Sequence, residues 1–370
     1  MAVVTLDADT DLPLGDDPGT GHNRWHWDIE PAVRCASGDV LVVATRDALD
    51  GQLDRCSTSD DILSIDTGRI HPLAGPIWIE DAQPGDLLEI EVNEVIAPDY
   101  GFTSQRPGLG LLDGELDAPL LLHWDLADGW AQSAQLPGVR IGGDPFLGIM
   151  GVAPSESMIT EVLRQEANAA KAPIERRSAV PSTASVCSKG LRTGPPRRHG
   201  GNIDLKQLGA GARVFLPVLE PGALLSLGDA HFAQGDGEVC GTAIEMRSVA
   251  RLTVRLHPSA ADPVATFPFF EHTPRPAMTP SAVLTILGYP PPGDPDRLRG
   301  AAASAVRQLS VRIAEAYDFS FAAAYALCSV AADLRVPQVV NEPNISVTAA
   351  ISLDVFDDGG ERMRLSRSTP

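Results

Sequence analysis

The stretch GPIWIEDAQPGDLLEIEV, residues 75–92, decides the fold class. Pro84, Gly85 and Asp86 make a tight-turn signal, because proline presets φ and glycine accepts φ values closed to other residues. After the turn, Leu88, Ile90 and Val92 alternate with Glu89, Glu91 and Asn93. Successive side chains of an extended chain point to opposite faces, so this alternation predicts a half-buried strand with its carboxylates outward. The same shape recurs upstream in AVRCASGDVLVVATRDA (32–48) and downstream over 119–141, 213–218, 223–227 and 250–256. A last strand is predicted over 346–356, where Val347, Ala349 and Ile351 alternate with polar neighbours.

Composition agrees with a β-rich chain. The 370 residues include 34 Gly and 31 Pro, enough to favour frequent turns over a helical bundle. Helices are predicted in few places. SESMITEVLRQEANAAK (155–171) reads as one, followed by a Ser/Pro/Ala-rich loop. From Asp294 to Tyr317, the positions Leu298, Ala302, Ala305, Leu309, Ile313 and Ala316 step by three or four, one face of an amphipathic helix with Asp294 as its N-cap. A second helix, Ser320–Leu334, ends before Pro337. The expected class is mainly β with an α+β C-terminal part. Its expected divisions are a β-rich 1–165, a flexible loop or lid at 166–195, central strands at 196–262, and an α+β unit at 263–370.

The formal net charge of -20 repels phosphate backbones and anionic membrane surfaces, which argues against nucleic-acid and membrane partners. Five cysteines (35, 56, 187, 240, 328) form no C-x-x-C pair and suggest no disulfide framework. The first residues lack a basic, then apolar, leader pattern, and a cytoplasmic location is expected. No G-x-S-x-G elbow, H-E-x-x-H or Walker A sequence is present.

Three polar clusters carry the chemistry. The densest is GDAHFAQGDGE, 228–238. If it begins as a strand, Asp229 and His231 face one side and offer an oxygen and a nitrogen to a divalent metal. Gly235 and Gly237 allow a sharp return that brings Asp236 or Glu238 back to that side. A plain hairpin with a polar turn fits the same spacing. The second cluster is HNRWHWD, 22–28, where His26 and Asp28 lie two apart beside tryptophans; aromatic packing with surface histidines is its bland reading. The third is RRHGGNID, 197–204, whose Gly-Gly-Asn permits close backbone approach and backbone N–H groups aimed at a carbonyl oxygen, or else is an ordinary loop. Asp60-Asp61 is an adjacent carboxylate pair. Cys240 is either a thiol nucleophile or a buried residue.

Taken in order, HNRWHWDI (22–29), GPIWIEDAQPGDLLEIEV (75–92), FLGIMGVAP (146–154), PPRRHGGNIDLK (195–206), LSLGDAHFAQGDGEVCGTAIEM (225–246) and VVNEPN (339–344) resemble the acetamidase/formamidase hydrolases. The resemblance implies hydrolysis of short linear amides to a carboxylate and ammonia. It also implies a jelly-roll-like β-sandwich and a divalent cation in the pocket. Carried onto this chain, it points to Asp229, His231 and Glu238, with His26 and Asp61 as further metal ligands. The chain differs from the formamidase branch at His199, where a glutamate is expected, and over 101–116, and so is closer to the acetamidase side.

The mechanism expected from these residues is metal-assisted. Zinc, or alternatively calcium, would sit on Asp229, His231 and His26 or Asp61. Glu238, with Asp236, would move the proton, and Gly200–Asn202 would hold the oxyanion. A histidine ligand argues against calcium, which takes oxygen. The rival readings are a Cys240 thiol amidase and a non-catalytic metabolite-binding jelly roll with a structural metal. The expected assembly is a homo-oligomer.

Overall fold

The computed structural model describes residues 1–167, 178–258, 267–273, 282–340 and 345–363. The strand that opened the sequence reading runs from Leu87 to Ile96. Leu88, Ile90 and Val92 are wholly buried, each contributing about 1.5–3 kcal/mol by leaving water. The opposite face is less open than the alternation predicts. Glu89 is itself buried, accepting Arg255 Nη1 at 3.0 Å and sitting 2.7 Å from His257 Nε2, so its carboxylate is paired and not solvated.

This strand lies inside a six-stranded sheet, ordered Val3–Leu6, Val40–Thr45, Ser248–His257, Leu87–Ile96, Arg213–Pro217 and Phe269–Glu271. A second sheet of eleven strands carries the site. Its central strand, Leu225–His231, pairs with Phe146–Gly151, Glu245–Met246 and Leu73–Ile79. Inward side chains of both sheets join one continuous core that includes Leu41, Ile90, Leu147, Leu227 and Leu252. Strands from 1–165 and from 196–262 alternate within both sheets.

The C-terminal unit sets two helices against a three-stranded sheet of Val283–Gly288, Ser346–Ser352 and Ala332–Gln338. The amphipathic helix is Arg297–Tyr317, and it buries Ala301, Ala305, Leu309 and Ile313. Its N-cap is Asp296, which accepts the Arg299 N–H; Asp294 instead accepts the Asp296 N–H one turn earlier. Leu298, expected on the buried stripe, is exposed. The second helix, Phe321–Ala331, stops three residues before the predicted end. Strand pairing with Ser346–Ser352 takes over from Ala332, overriding helix propensity. The final strand gives way to a short 3-10 turn at Leu353–Val355.

The helix expected over 155–171 is Glu156–Ala167. Residues 168–177 of the expected lid and 341–344 of VVNEPN lie outside the described residues. The described part of the 166–195 segment contains the Ala184–Lys189 helix and the Leu191–Arg192 strand, and Arg192 and Gly194 line a cavity of about 400 Å³. No helix among the described residues is long and apolar enough to cross a membrane.

Candidate active site

That cavity is where the polar clusters meet. Asp229 and His231 share the Leu225–His231 strand, as the two-residue spacing predicts. The strand is not regular there. Asp229 has φ 56°, and the pairing with Phe146–Gly151 skips Asp229 and Gly148. Gly148 leaves room that a side chain would occupy. A Cβ on it would lie 2.6 Å from Asp204 Oδ1 and 2.9 Å from Asp229 Oδ2 and His231 Cε1. Asp204 and Glu238 also have positive φ, 48° and 41°. Three non-glycine residues in the left-handed region, at about 1–3 kcal/mol each, mark a site whose geometry is held against local preference.

Asp204, Asp229 and His231 bring one ligand atom each within 4.8 Å of one another, as do His231, Glu238 and Glu245. His231 Nε2 is 3.4 Å from Asp229 Oδ1 and 3.2 Å from Glu245 Oε2. Its other nitrogen, Nδ1, sits 2.9 Å from Gln234 Oε1, and the Gln234 amide nitrogen donates to the Asp204 carbonyl. That fixes the glutamine oxygen toward the ring, so Nδ1 carries the proton and donates. In the neutral ring Nε2 then presents a lone pair toward two carboxylates. Such an arrangement is stable only when a cation sits between them or when Nε2 is itself protonated.

The electrostatics follow from that crowding. Burial disfavours a charged His231, but the Glu245 and Asp229 carboxylates outweigh it and hold its pKa well above the usual value. Burial likewise works against a charged Asp229, yet His231 and His71 beside it keep it ionised, at about 2. Glu238 is pushed well up by burial and then by Asp204. Asp204 rises to about 8 by burial and then by Asp229. One carboxyl of this last pair therefore holds a proton at neutral pH.

Asp204 Oδ1, Asp229 Oδ1, His231 Nε2 and Glu245 Oε2 are all buried with no hydrogen-bond partner. Orphaned buried ligand atoms are costly and rare. Asp204, Asp229 and His231, beside Gly148, form one grouping that could hold a divalent cation, and Glu245 belongs to a second that shares His231.

Several expected residues lie elsewhere. His26 accepts the Asp28 N–H on Nδ1 and stacks on Trp27; it is not among the residues lining the cavity. Asp61 closes a capping box with Thr58 at the start of a 3-10 helix. Asp236 meets Lys206 and Asp333. Asn202 lines the cavity, its Oδ1 buried and unpartnered. The Gly200 N–H is taken by the Arg197 carbonyl, while Ile203 and Asp204 donate to Gly148. Cys240 is fully buried, beside Ser104, Thr242 and Ser329; burial pushes its thiol up and no base touches it, which disfavours a thiolate nucleophile.

The site also takes in Asp204, Glu245 and His71, none of them marked out by sequence spacing. Glu245 was the last carboxylate of the quoted block and Asp204 closed the GGNID run. His71, alone between Ile70 and Pro72, carried no spacing signal. It lines the cavity, its backbone N–H donating to Thr193 Oγ1 at 2.7 Å.

Beneath the cluster, His22, Trp25 and His199 pack together. His22 Nε2 meets Ser226 Oγ at 2.7 Å, and the Trp25 and His199 rings lie 4.8 Å apart. Both His199 ring nitrogens are buried without partners, and burial lowers its pKa from 6.5 to about 3. Between those pH values the unfolded chain binds a proton that the native protein does not. This contribution to stability therefore falls as pH drops below 6.5, by about 1.4 kcal/mol per pH unit. His199→Leu removes it. Denaturant titrations at pH 7.5 and 5.0 should show the stability of His199→Leu relative to the parent rising by about 2 kcal/mol on acidification. An unchanged difference would mean that His199 titrates normally.

A buried acid–histidine cluster beneath an enclosed, partly apolar cavity defines a hydrolase-type site on a two-sheet scaffold. The sequence profile of the Acetamidase/Formamidase family matches residues 7–358, and the chain belongs to that family of amide hydrolases. It is 34% identical over 278 residues to the formamidase of Methylophilus methylotrophus, covering 69% of this chain and 68% of that one. It is also 34% identical over 278 residues to the acetamidase of Mycolicibacterium smegmatis, covering 66% and 68%. A solved structure, the gamma lactamase from Delftia acidovorans, is 28% identical and superposes with a TM-score of 0.91, covering 100% of this chain and 96% of that one.

Proposed function

We propose that the chain hydrolyses small carboxamides to a carboxylate and ammonia with the help of a divalent cation, zinc by its donor set. The observation that carries this reading is the pair of acid–histidine groupings that share His231, each bringing three ligand atoms within 4.8 Å of one another. Asp204, Asp229 and His231 would hold the ion, with Glu245 beside them. A cation bound there supplies Lewis-acid polarisation of the amide carbonyl. The protein's own groups do the rest. Gln234 locks the His231 ring in the orientation that presents Nε2. Glu238, whose pKa burial and then Asp204 push well up, would pass a proton between the water and the departing nitrogen. Asn202, which lines the cavity and has an unpartnered Oδ1, would offer an acceptor to the substrate's amide N–H groups.

A second reading has support of its own. The full-length superposition on a gamma lactamase favours a cyclic amide, whose hydrolysis opens the ring and keeps the amine on the product. The cavity of about 400 Å³ is within the range, roughly 300–1,000 Å³, that encloses ligands larger than acetamide.

The test is turnover of formamide, acetamide, butyramide and γ-butyrolactam by protein as purified, after chelation, and after zinc is restored. Chelation is expected to remove activity and zinc to return it. Full turnover by metal-free protein overturns the cation's part. Ring opening without hydrolysis of the linear amides would replace the first reading by the second.

A further inference from the structure

The cavity holds more than an amide requires. Its walls include the aliphatic side chains of Leu49, Ile62, Ile65, Ile70 and Leu109 beside Asp229, Glu238 and Glu245. Two guanidinium groups interrupt that surface. Arg106 opens the turn after the Tyr100–Gln105 strand; the Leu109 N–H closes the turn on its carbonyl. Its side chain is half-buried, lines the cavity, and makes no ion pair or hydrogen bond among the described residues. Arg192 lines the same cavity. One end of its guanidinium reaches Glu166 at 3.4 Å, while its Nε is buried with no partner. Arg24, also at the wall, differs: it donates to the Asn23 and Gly68 carbonyls and is spent on the fold.

A chain with 49 acidic residues has ample means to pair a half-buried arginine, yet Arg106 pairs with none among the described residues. Guanidinium groups match carboxylates in shape and charge. An anion entering a site already crowded with Asp229, Glu238 and Glu245 would need local cations to offset that repulsion. The aliphatic side chains of the same cavity would pack a methylene spacer.

We propose that the preferred substrate is an aliphatic amide bearing a carboxylate at its far end, a dicarboxylic acid monoamide, with Arg106 and Arg192 holding that carboxylate. This rests on the amide-hydrolase reading above. Water adds to the amide carbon, the carbon–nitrogen bond breaks, ammonia leaves, and the product is the dicarboxylate. The distal carboxylate takes no part in the bond changes. It sets the register of the chain in the cavity.

The test compares succinic, glutaric and adipic acid monoamides, each against the neutral straight-chain amide of the same acyl length. For at least one length, kcat/KM should favour the monoamide by about tenfold to a hundredfold, chiefly through KM, and the preference should shrink as salt is added. Arg106→Gln should bring the ratio near unity, and Arg106→Lys should keep part of it. A parent ratio of one or less at all three lengths overturns the proposal, as does a parent-like ratio in Arg106→Gln. If no amide is turned over, the amidase reading fails on its own. Calorimetric binding of adipic acid monoamide against hexanamide then decides the carboxylate site: a preference lost in Arg106→Gln supports it, and equal binding overturns it.

Discussion

Glu238→Gln is expected to lower kcat by about 10²- to 10⁴-fold while the protein keeps its fold and its bound cation. Gln is nearly isosteric with Glu, so the Gly235–Glu238 turn and the contact with Asp204 survive. What disappears is a carboxyl group that can carry a proton. Burial and then the neighbouring Asp204 disfavour its charged form and push its pKa well up. Steady-state kinetics with metal analysis of the same sample checks the assignment. A fully active Glu238→Gln removes the proton-carrying role. An inactive variant that has also lost its cation would make Glu238 a ligand, which its proximity to His231 and Glu245 equally permits.

The second large effect is expected at His231. His231→Ala should abolish stoichiometric zinc and reduce turnover on the order of a thousandfold, the scale of several kcal/mol of transition-state stabilisation. His231 is the residue common to both ligand groupings in the cluster. Removing it also leaves Asp229 and Glu245 facing each other without a counter-charge, so a loss of about 3–5 kcal/mol of stability is expected alongside. His231→Gln separates the two effects, since it keeps a polar group in the space but supplies no imidazole nitrogen. Metal content, melting temperature and kcat measured on both variants check the prediction. Unchanged zinc in both would place the cation elsewhere.

The chain's pattern shows some of this site directly and hides the rest for identifiable reasons. Asp229-Ala230-His231 was readable because strand periodicity puts alternate residues on one face, and the strand is there. His26-Trp27-Asp28 has the same spacing and comes to something different. Its strand ends at Trp25, and Asp28 turns back to bond the His26 ring. Asp61 looked like half of an acidic pair, but its carboxylate is used to cap a 3-10 helix, a role any surface turn offers. Asp204, Glu245 and His71 were hidden because each comes from a separate segment. Sheet order brings them together, and a single sequence does not state sheet order. The β class itself was legible from turns and alternation. The helix-to-strand switch at Ala332 was not, since Ala-Asp-Leu-Arg supports a helix until strand pairing decides otherwise.

One contact reaches further than its size suggests. Gly235 and Gly237, read from sequence as freedom to turn, are also where two parts of the chain come to touch. A side chain on Gly235 would overlap the Ala332 carbonyl, and one on Gly237 would lie 2.7 Å from Leu334. The Gly235 N–H donates to Ser329, and the Leu334 N–H to Asp236. The turn that presents Glu238 is thus cast against the helix-to-strand junction of the C-terminal unit, as a key blank is cut against its pattern. Among its described residues that unit supplies no member of the two acid–histidine groupings. It supplies the template, so a change of packing at residues 329–334 would shift where the Glu238 carboxyl sits.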